Sequence, residues 1–597
     1  IFSETAELNS QLDASQMQIA VGRIQYNSPA EMRTYIDKLL SYMSNQDKCR
    51  SNSESKLLLI GESGDNYIHA NQCESYVSEF EKAGNFLPEW SKIYMEAYAN
   101  DADARKKFVE QLKLGQNFVL FIGHSNIANM TKSMVMMDIQ KAIDTKYENP
   151  PIMFFSSCDV GRFDIGQTSF IDKLMSNPQG GIIAAIASTR QAYTNLNGRL
   201  TNSFAKYLGM TSDHFDGEKT LGKILLYAKN YCTETTKNRR KYHLLGDPAM
   251  RVEMPLPKIQ VSTINGLSTD KDITVGPYNK VSIEGLIANA DGSTDKSFNG
   301  SIEISLTDSK KLHLNAVYQN KPVKYYSEGS ALATSATIVE NGCFKAEIII
   351  PASLSDDEEP KSLLLFAKSD DGRLGYSGRC DALKFDRMAT TPVNDVTAPT
   401  IDAMYIDNKA TFQDGMHVGT DLTIYAEVTD NVALNLSNES LTTSTYISLD
   451  GGQETAIVKP TPLTSSSAIL SAPLYSLTPG IHSAQLMVAD NSGNATSRTI
   501  SFFVETGENL QATMAENAVN DVATIDVVSN TPRVDKADIR ITDDKGNLLF
   551  SAVNASLPFR WNGEDNNAIR LPEGVYNLEV IVGGIGAPKK KIVVTKQ

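Results

Sequence analysis

Two side chains in this sequence are spaced so that a thiol and an imidazole could act together. Residues 117–125 form an apolar run that stops on His124, and residues 151–159 form a second that stops on Cys158. Each run reads as a buried strand. As neighbours in a parallel sheet, the two strands would bring both side chains to one carboxyl edge, where open α/β sheets bind their ligands. A free thiol is mostly protonated at neutral pH, so it needs an imidazole to hold it as thiolate and to pass a proton to a leaving amine. Taken singly, Cys158 reads as a small core residue and His124 as a satisfied loop histidine. Their joint placement points to a cysteine-hydrolase site.

The rest of such a site can be sought nearby. The backbone N–H groups of Cys158 and Ser125, on turns after their strands, are the natural donors to a developing oxyanion. The strand at 56–60 ends in Gly61-Glu62-Ser63-Gly64-Asp65, which brings Glu62 or Asp65 to the same edge as an acceptor that could orient the imidazole, Glu62 being placed first. Asp159 reads as structural, because a carboxylate beside the thiolate would raise its pKa. Arg190 follows another buried strand and either binds a substrate carboxylate or holds its loop, the second being preferred. Glu74 is a candidate charge in a substrate pocket. His243 is a weaker rival histidine, since Gly246 and Pro248 after it mark a chain reversal.

The elements that must position these residues alternate. Strands are expected at 17–22, 56–60, 92–95 and 181–188, and helices at 29–43, 72–83, 168–176, 198–208 and 220–232, followed by a further segment at 242–252. Ser28 serves as N-cap and Pro29 as first-turn residue of the first helix. A helix at 134–146 would supply the crossover between the two active-site strands. The alternation predicts an α/β domain with a mostly parallel sheet over residues 1–255. From about residue 256 the pattern becomes short alternating runs between Gly, Asn, Asp and Pro turns. This predicts all-β Ig-like sandwich domains at 256–390, 400–505 and 521–597, with a linker at 389–399. These β domains show no catalytic constellation and read as spacing and docking modules.

Length and composition set outer limits. A chain of 597 residues exceeds one core and implies several domains. A net charge of −15 argues against nucleic acid as a partner. No apolar run reaches membrane-span length, so a soluble chain is expected. The six cysteines are scattered without CxxC spacing and give no metal set. Cys343 and Cys380 share one β region and would pair if the protein is exported. Ile1 opens within what reads as a folded region, which suggests a mature or trimmed chain.

Taken in order, Val21-Gly22-Arg23, Leu57 to Gly61, Gly123-His124, Ser157-Cys158, Gly180 to Arg190 and Leu245-Gly246-Asp247-Pro248 resemble the gingipain-like cysteine peptidases, which have a caspase-like fold. The set Cys158, Arg162-Phe163-Asp164, Ser188-Thr189-Arg190 with Asn195 and Asn197, and Leu244 to Pro248 is more similar to the branch that serves type IX secretion in Bacteroidota. The resemblance implies His124 and Cys158 as the dyad, with Glu62 as third member. It also implies a sortase that removes carboxyl-terminal export domains from cargo and passes the acyl group to an amine of anionic lipopolysaccharide. A PorV-type outer-membrane barrel would hold it at the cell surface. No cofactor is required, although the Asp- and Asn-rich loops leave room for structural calcium. The turn carries Ser125 where the family has glycine. A first strand and amino-terminal domain usual in the family are not in this sequence. Phe559-Arg560-Trp561-Asn562-Gly563 with Gly574-Val575-Tyr576 resembles the carboxyl-terminal Ig-like modules of exported bacterial proteins. Its presence favours a resident sortase over a secreted gingipain-like protease. A non-catalytic surface adhesin or assembly scaffold is the alternative from another class.

Overall fold

The structure, a computed structural model, describes residues 17–24, 26, 28–44, 55–131, 137–138, 146–147, 149–164, 166, 168–178, 180–233, 237–252, 254–318, 321–389, 395–436, 445–452, 455–456, 458–516, 518–529 and 534–595. The chain divides into two compact units, Ile1–Asn394 and Asp395–Gln597.

The first unit begins with strands β1 (Gly22–Arg23), β2 (Lys56–Gly61), β3 (Glu89–Tyr94) and β4 (Phe118–Ile122). A small ribbon of β5 (Asn129–Met130) and β6 (Met137–Asp138) follows, then β7 (Ile152–Ser156), β8 (Ala184–Ser188) and β9 (Tyr242–Leu245). Seven of these form one sheet in the order β1-β9-β8-β7-β4-β2-β3. Its pairs are parallel except β8 with β9. Strands β2, β4, β7 and β8 are apolar almost throughout because both faces of the sheet are covered, the usual condition of a parallel sheet. The covering helices are α1 (Pro29–Ser44), α2 (Ile68–Glu81), α3 (Asp101–Leu114), α4 (Phe170–Ser176), α5 (Thr194–Leu208) and α6 (Leu221–Tyr231). Polar side chains satisfy the free amides at several helix starts: Ser28 accepts from the Glu31 N–H, Asn100 from Asp103, and Ser169 and Asp172 form a reciprocal capping box. Phe204 of α5 stacks on Phe118 at 5.5 Å, which locks that helix onto the strand leading to His124.

Several expectations move. The strand at 17–22 shrinks to Gly22–Arg23, and α5 starts four residues earlier than its apolar pattern suggests. The crossover helix at 134–146 falls mostly outside the described residues, but Met137–Asp138 within it is a strand paired with Asn129–Met130. Past the first domain, residues 256–385 build a ten-stranded sheet around an apolar core of its own. Cys343 and Cys380 are not bonded: both are free thiols, Cys343 exposed and Cys380 buried, on strands separated by three others in the sheet. A hairpin, Lys311–Tyr318 with Lys321–Ser327, stands apart from that sheet, and its Tyr325 joins the core of the first domain, meeting Tyr94 at 4.7 Å.

The second unit is all β. Residues 400–504 form two sheets of four and six strands, and residues 511–594 form sheets of three and five. Trp561 is 1% exposed at the heart of the last core, its Nε1–H donating to the Glu564 carbonyl at 2.9 Å. Among the described residues, no helix is long and apolar enough to cross a membrane.

Candidate active site

The sheet register brings the two reactive residues to equivalent positions at the ends of adjacent strands. Phe118 pairs with Ile152 and Ile122 with Ser156, so His124 and Cys158 each stand two residues past paired positions on adjacent parallel strands. Such strands lie about 4.8 Å apart. β2 pairs with β4 on the other side, Gly61 against Ile122, and delivers the 62–65 turn to the same edge. β8 delivers Arg190.

The two carboxylates of that turn divide the work of holding His124. Glu62, 4% exposed, accepts the His124 backbone N–H on Oε2 at 2.5 Å. Its own N–H donates to the Ile122 carbonyl at 3.0 Å, which extends the ladder past the strand. Gly123 is what allows this: a Cβ there would stand 2.5 Å from the Glu62 Cβ and 2.8 Å from Oε2. The imidazole itself faces Asp65, with Nε2 2.7 Å from Oδ2. Sequence reasoning put Glu62 first for this contact; the ring partner in the structure is Asp65. The chain reaches that geometry through Asp65, Asn66 and Tyr67, all with φ between 46° and 62°. Three successive non-glycine residues in the left-handed region are costly, and such backbone strain concentrates at functional sites.

A second histidine, unnoticed in the sequence, completes this corner. His69 at the start of α2 is fully buried, and its Nδ1 lies 3.0 Å from the Glu62 carbonyl. Its ring stands edge-on to that of His124 at 5.5 Å, and burial holds its pKa below the ordinary value. Glu96, just past β3, also sits close to this turn. Its pKa is raised from 4.5 to about 6 by burial, against the lowering effect of the Gly64 and Glu96 amides.

On the thiol side, Cys158 Sγ lies 3.3 Å from both the N–H and the carbonyl oxygen of Ala192. The N–H can donate to a thiolate and the carbonyl can accept from a thiol, so this backbone suits either protonation state. Nothing in a side-chain pattern marks Ala192, since its contribution is entirely main chain. Asn238 holds the loop in place: its Oδ1 accepts from the Tyr193 N–H at 3.1 Å, while its Nδ2 donates to Asn197 Oδ1 at 2.9 Å.

Ser125 ties the histidine turn to the cysteine turn, donating through Oγ to the Cys158 carbonyl at 2.6 Å and lying 2.7 Å from Ser157 Oγ. Its bridge to Met130 is bonded through Asn126 and Thr131, so the Ser125 N–H is directed away from that ribbon. Among the described residues, no backbone carbonyl accepts the N–H of Ser125 or of Cys158. Two amides are thereby left for an oxyanion. Asp159 has φ 55° and forms the turn after the cysteine, its N–H 3.4 Å from the Arg190 carbonyl.

The remaining candidates are occupied. Arg190 Nη2 meets Asp164 Oδ2 at 2.6 Å and its Nη1 donates to the Thr189 carbonyl; this guanidinium holds the Asp164 carboxyl below its usual pKa. Glu74 lies in α2 against Lys92 at 2.9 Å and the Tyr94 hydroxyl. His243 pairs with Ala187 in the sheet and packs edge-on against Phe163 at 5.9 Å. Burial, together with Lys229, Arg190 and Arg23, pushes its pKa down to about 4, so it stays neutral.

In the second unit, the Asp- and Asn-rich turns bring one carboxylate oxygen each of Asp395, Asp430 and Asp490 within 4.8 Å of one another. Burial raises Asp430 from 3.8 to about 6, with Asp490 and Asp395 adding to the effect. An all-oxygen donor set of this kind fits a hard cation such as calcium.

A thiol and an imidazole at equivalent positions on adjacent strands, with a carboxylate on the ring and free amides beside the sulfur, define the arrangement of a cysteine hydrolase. The comparisons agree: residues 6–253 match the model of Peptidase family C25, which makes this stretch similar to the gingipain-like cysteine peptidases. Among solved structures, the chain is similar to dimeric latent PorU from Porphyromonas gingivalis, with 18% identity and a TM-score of 0.29, over 100% of this chain and 52% of that one. It is also similar to the Arg-specific cysteine proteinase gingipain R (RgpB), with 16% identity and a TM-score of 0.34, over 61% of this chain and 74% of that one. The chain thus spans about half the length of the PorU structure it matches. No curated protein matches it.

Proposed function

We propose that this chain acts as a cell-surface cysteine endopeptidase and transpeptidase, a PorU-like sortase with a caspase-like catalytic domain. It would cut the carboxyl-terminal export domain from type IX secretion cargo and transfer the acyl group to an amine of anionic lipopolysaccharide. The observation that carries the chemistry is the register of β4 and β7, with His124 and Cys158 each two residues past paired positions and Asp65 on the imidazole. Cys158 Sγ attacks the scissile carbonyl, and the Cys158 and Ser125 amides take the oxyanion. As the C–N bond breaks, His124 gives its proton to the leaving amine and a thioester remains. An incoming amine then loses a proton to His124 and replaces the sulfur, whereas water would give a free acid. Asp65 stabilises the imidazolium through both steps, and Glu62 fixes the backbone that carries it.

The acceptor, cargo and membrane partner rest on the sequence motifs shared with the sortase branch and on the family match. They imply an enzyme at the outer-membrane surface of a Bacteroidota cell, docked on a PorV-type barrel. Arg190 is assigned to its loop, since binding a substrate carboxylate would require it to leave Asp164. Glu74 is likewise assigned to its pair with Lys92 and Tyr94. No cofactor enters the reaction; structural calcium would be held by Asp395, Asp430 and Asp490.

The test is to incubate wild type and Cys158→Ala with a cargo protein bearing its export domain and an amine acceptor, and to follow intact mass. Loss of the domain with an acceptor-linked product, in wild type alone, is expected. Cleavage to the free acid only would make the protein a secreted-type gingipain-like protease. No Cys158-dependent cleavage would leave a surface adhesin or assembly scaffold.

A further inference from the structure

His69 poses a problem of tautomers. The Glu62 carbonyl can only accept, so His69 Nδ1 must carry the proton that bonds it at 3.0 Å. In the neutral ring, Nε2 then presents a lone pair. That nitrogen is buried and has no hydrogen-bond partner, in a residue that is 0% exposed. What it faces is Asp65 Oδ2 at 3.8 Å, a lone pair against a carboxylate and too far for a hydrogen bond. An unpartnered buried acceptor is costly, and one aimed at an anion more so. A cation placed between the two groups would give His69 Nε2 a partner and turn the opposed carboxylate into a second ligand.

The donors around that point suit a particular class of cation. One ligand atom each from Asp65, His69 and His124 lies within 4.8 Å of the others. Two imidazole nitrogens and one carboxylate oxygen are a zinc-type set rather than a calcium-type one. In a tetrahedral site with bonds of about 2.0–2.1 Å, neighbouring ligand atoms stand roughly 3.3 Å apart. The separations here straddle that value: 2.7 Å from Asp65 to His124 and 3.8 Å from Asp65 to His69. Small side-chain adjustments would equalise them. The position between helix α2 and the 62–65 turn also leaves a fourth direction toward the site, since Asp65 and His124 are not fully buried.

We propose that Asp65, His69 and His124 form a site for a divalent zinc-type cation that reversibly switches the peptidase off. With its Nε2 on the metal, His124 becomes a poorer base at its other nitrogen, because the cation draws electron density from the ring. Asp65 loses its hold on the imidazole at the same time, its charge now neutralised by the cation. The inhibitory effect rests on the proposed peptidase function; the binding site rests on the geometry alone.

The experiment separates the two. The Cys158→Ala chain, which lacks the competing active-site thiol, is titrated with zinc by calorimetry and with cobalt(II) by visible absorption. One equivalent of zinc is expected, with a cobalt spectrum of nitrogen and oxygen ligands and no thiolate charge-transfer band. Adding Asp65→Asn or His69→Gln should weaken binding at least tenfold, with melting in EDTA confirming that each variant is folded. Two variants on different elements keep the result readable if the buried His69 change unfolds the chain. Zinc should also inhibit the wild type, with EDTA restoring it. Absence of a one-equivalent site in Cys158→Ala, or binding indifferent to folded Asp65 and His69 variants, would overturn the site. A site that binds as expected in a chain without peptidase activity would uphold the metal site and remove the proposed function instead.

Discussion

His124 is held by two different carboxylates at its two ends: Glu62 takes its backbone N–H at 2.5 Å, and Asp65 takes its ring Nε2 at 2.7 Å. The first fixes where the residue is, the second how the ring is turned and how well it carries charge. Replacing each should therefore have a different signature.

Asp65→Asn should lower kcat/KM by roughly 10²-fold or more, chiefly in kcat, with little change in melting temperature, because it removes imidazolium stabilisation at a partly exposed position. Glu62→Gln should instead cost stability, about 1–3 kcal/mol, because the buried bond from the His124 N–H loses its charge-assisted character and an amide donor replaces one carboxylate oxygen. Steady-state kinetics and thermal melts on both variants distinguish the roles. Equal kinetic loss with unchanged stability in both would contradict the division.

Gly123→Ala should be as damaging as a change in the site. A methyl group 2.5 Å from the Glu62 Cβ cannot be accommodated without moving the turn that carries His124. Overpacking of this kind costs about 1–3 kcal/mol. The expected outcome is a lowered melting temperature together with reduced activity, both measurable on the purified variant.

The strand ends were legible in the sequence because apolar runs buried on both faces leave few alternatives, and each ended on a single reactive side chain. The choice between Glu62 and Asp65 was not legible. It depends on three left-handed residues, 65–67, that turn the chain back, and neither Asp, Asn nor Tyr there announces that conformation as glycine would. Ala192 was invisible because main-chain groups leave no residue-type signal. His69 was passed over because α2 opens earlier than its apolar periodicity suggests, at Ile68 rather than Gln72. The docking of Tyr325 on Tyr94 joins positions more than 200 residues apart, which no local pattern encodes.

That docking has its own consequence. The strand Lys311–Tyr318 runs against the Asp65–Tyr67 turn, and Tyr325 is 8% exposed against Tyr94. Tyr325→Ala should cost about 3 kcal/mol. It should also speed amide exchange at residues 64–68, measured by hydrogen–deuterium exchange, while leaving exchange in β7 and β8 unchanged.

Glu96 gives a pH signature. Its pKa in the folded chain, about 6, lies above the ordinary 4.5, so the native state binds more protons than the unfolded state between these values. Stability from this group is therefore present below about pH 4.5 and lost as pH rises through 6. Glu96→Gln should flatten that fall by about 1 kcal/mol, allowing for the group's partial exposure, in urea unfolding at pH 4.5 and pH 7.

The central claim is that His124 activates the Cys158 thiol. The direct measurement is the rate of iodoacetamide alkylation at Cys158 across pH, read by peptide mass, in wild type and His124→Ala, with exposed Cys343 as internal reference. The account predicts reactivity of Cys158 in wild type persisting well below the ordinary thiol pKa of about 8.5, and a return to that value in His124→Ala. Identical profiles for Cys158 in both proteins, matching Cys343, would contradict it.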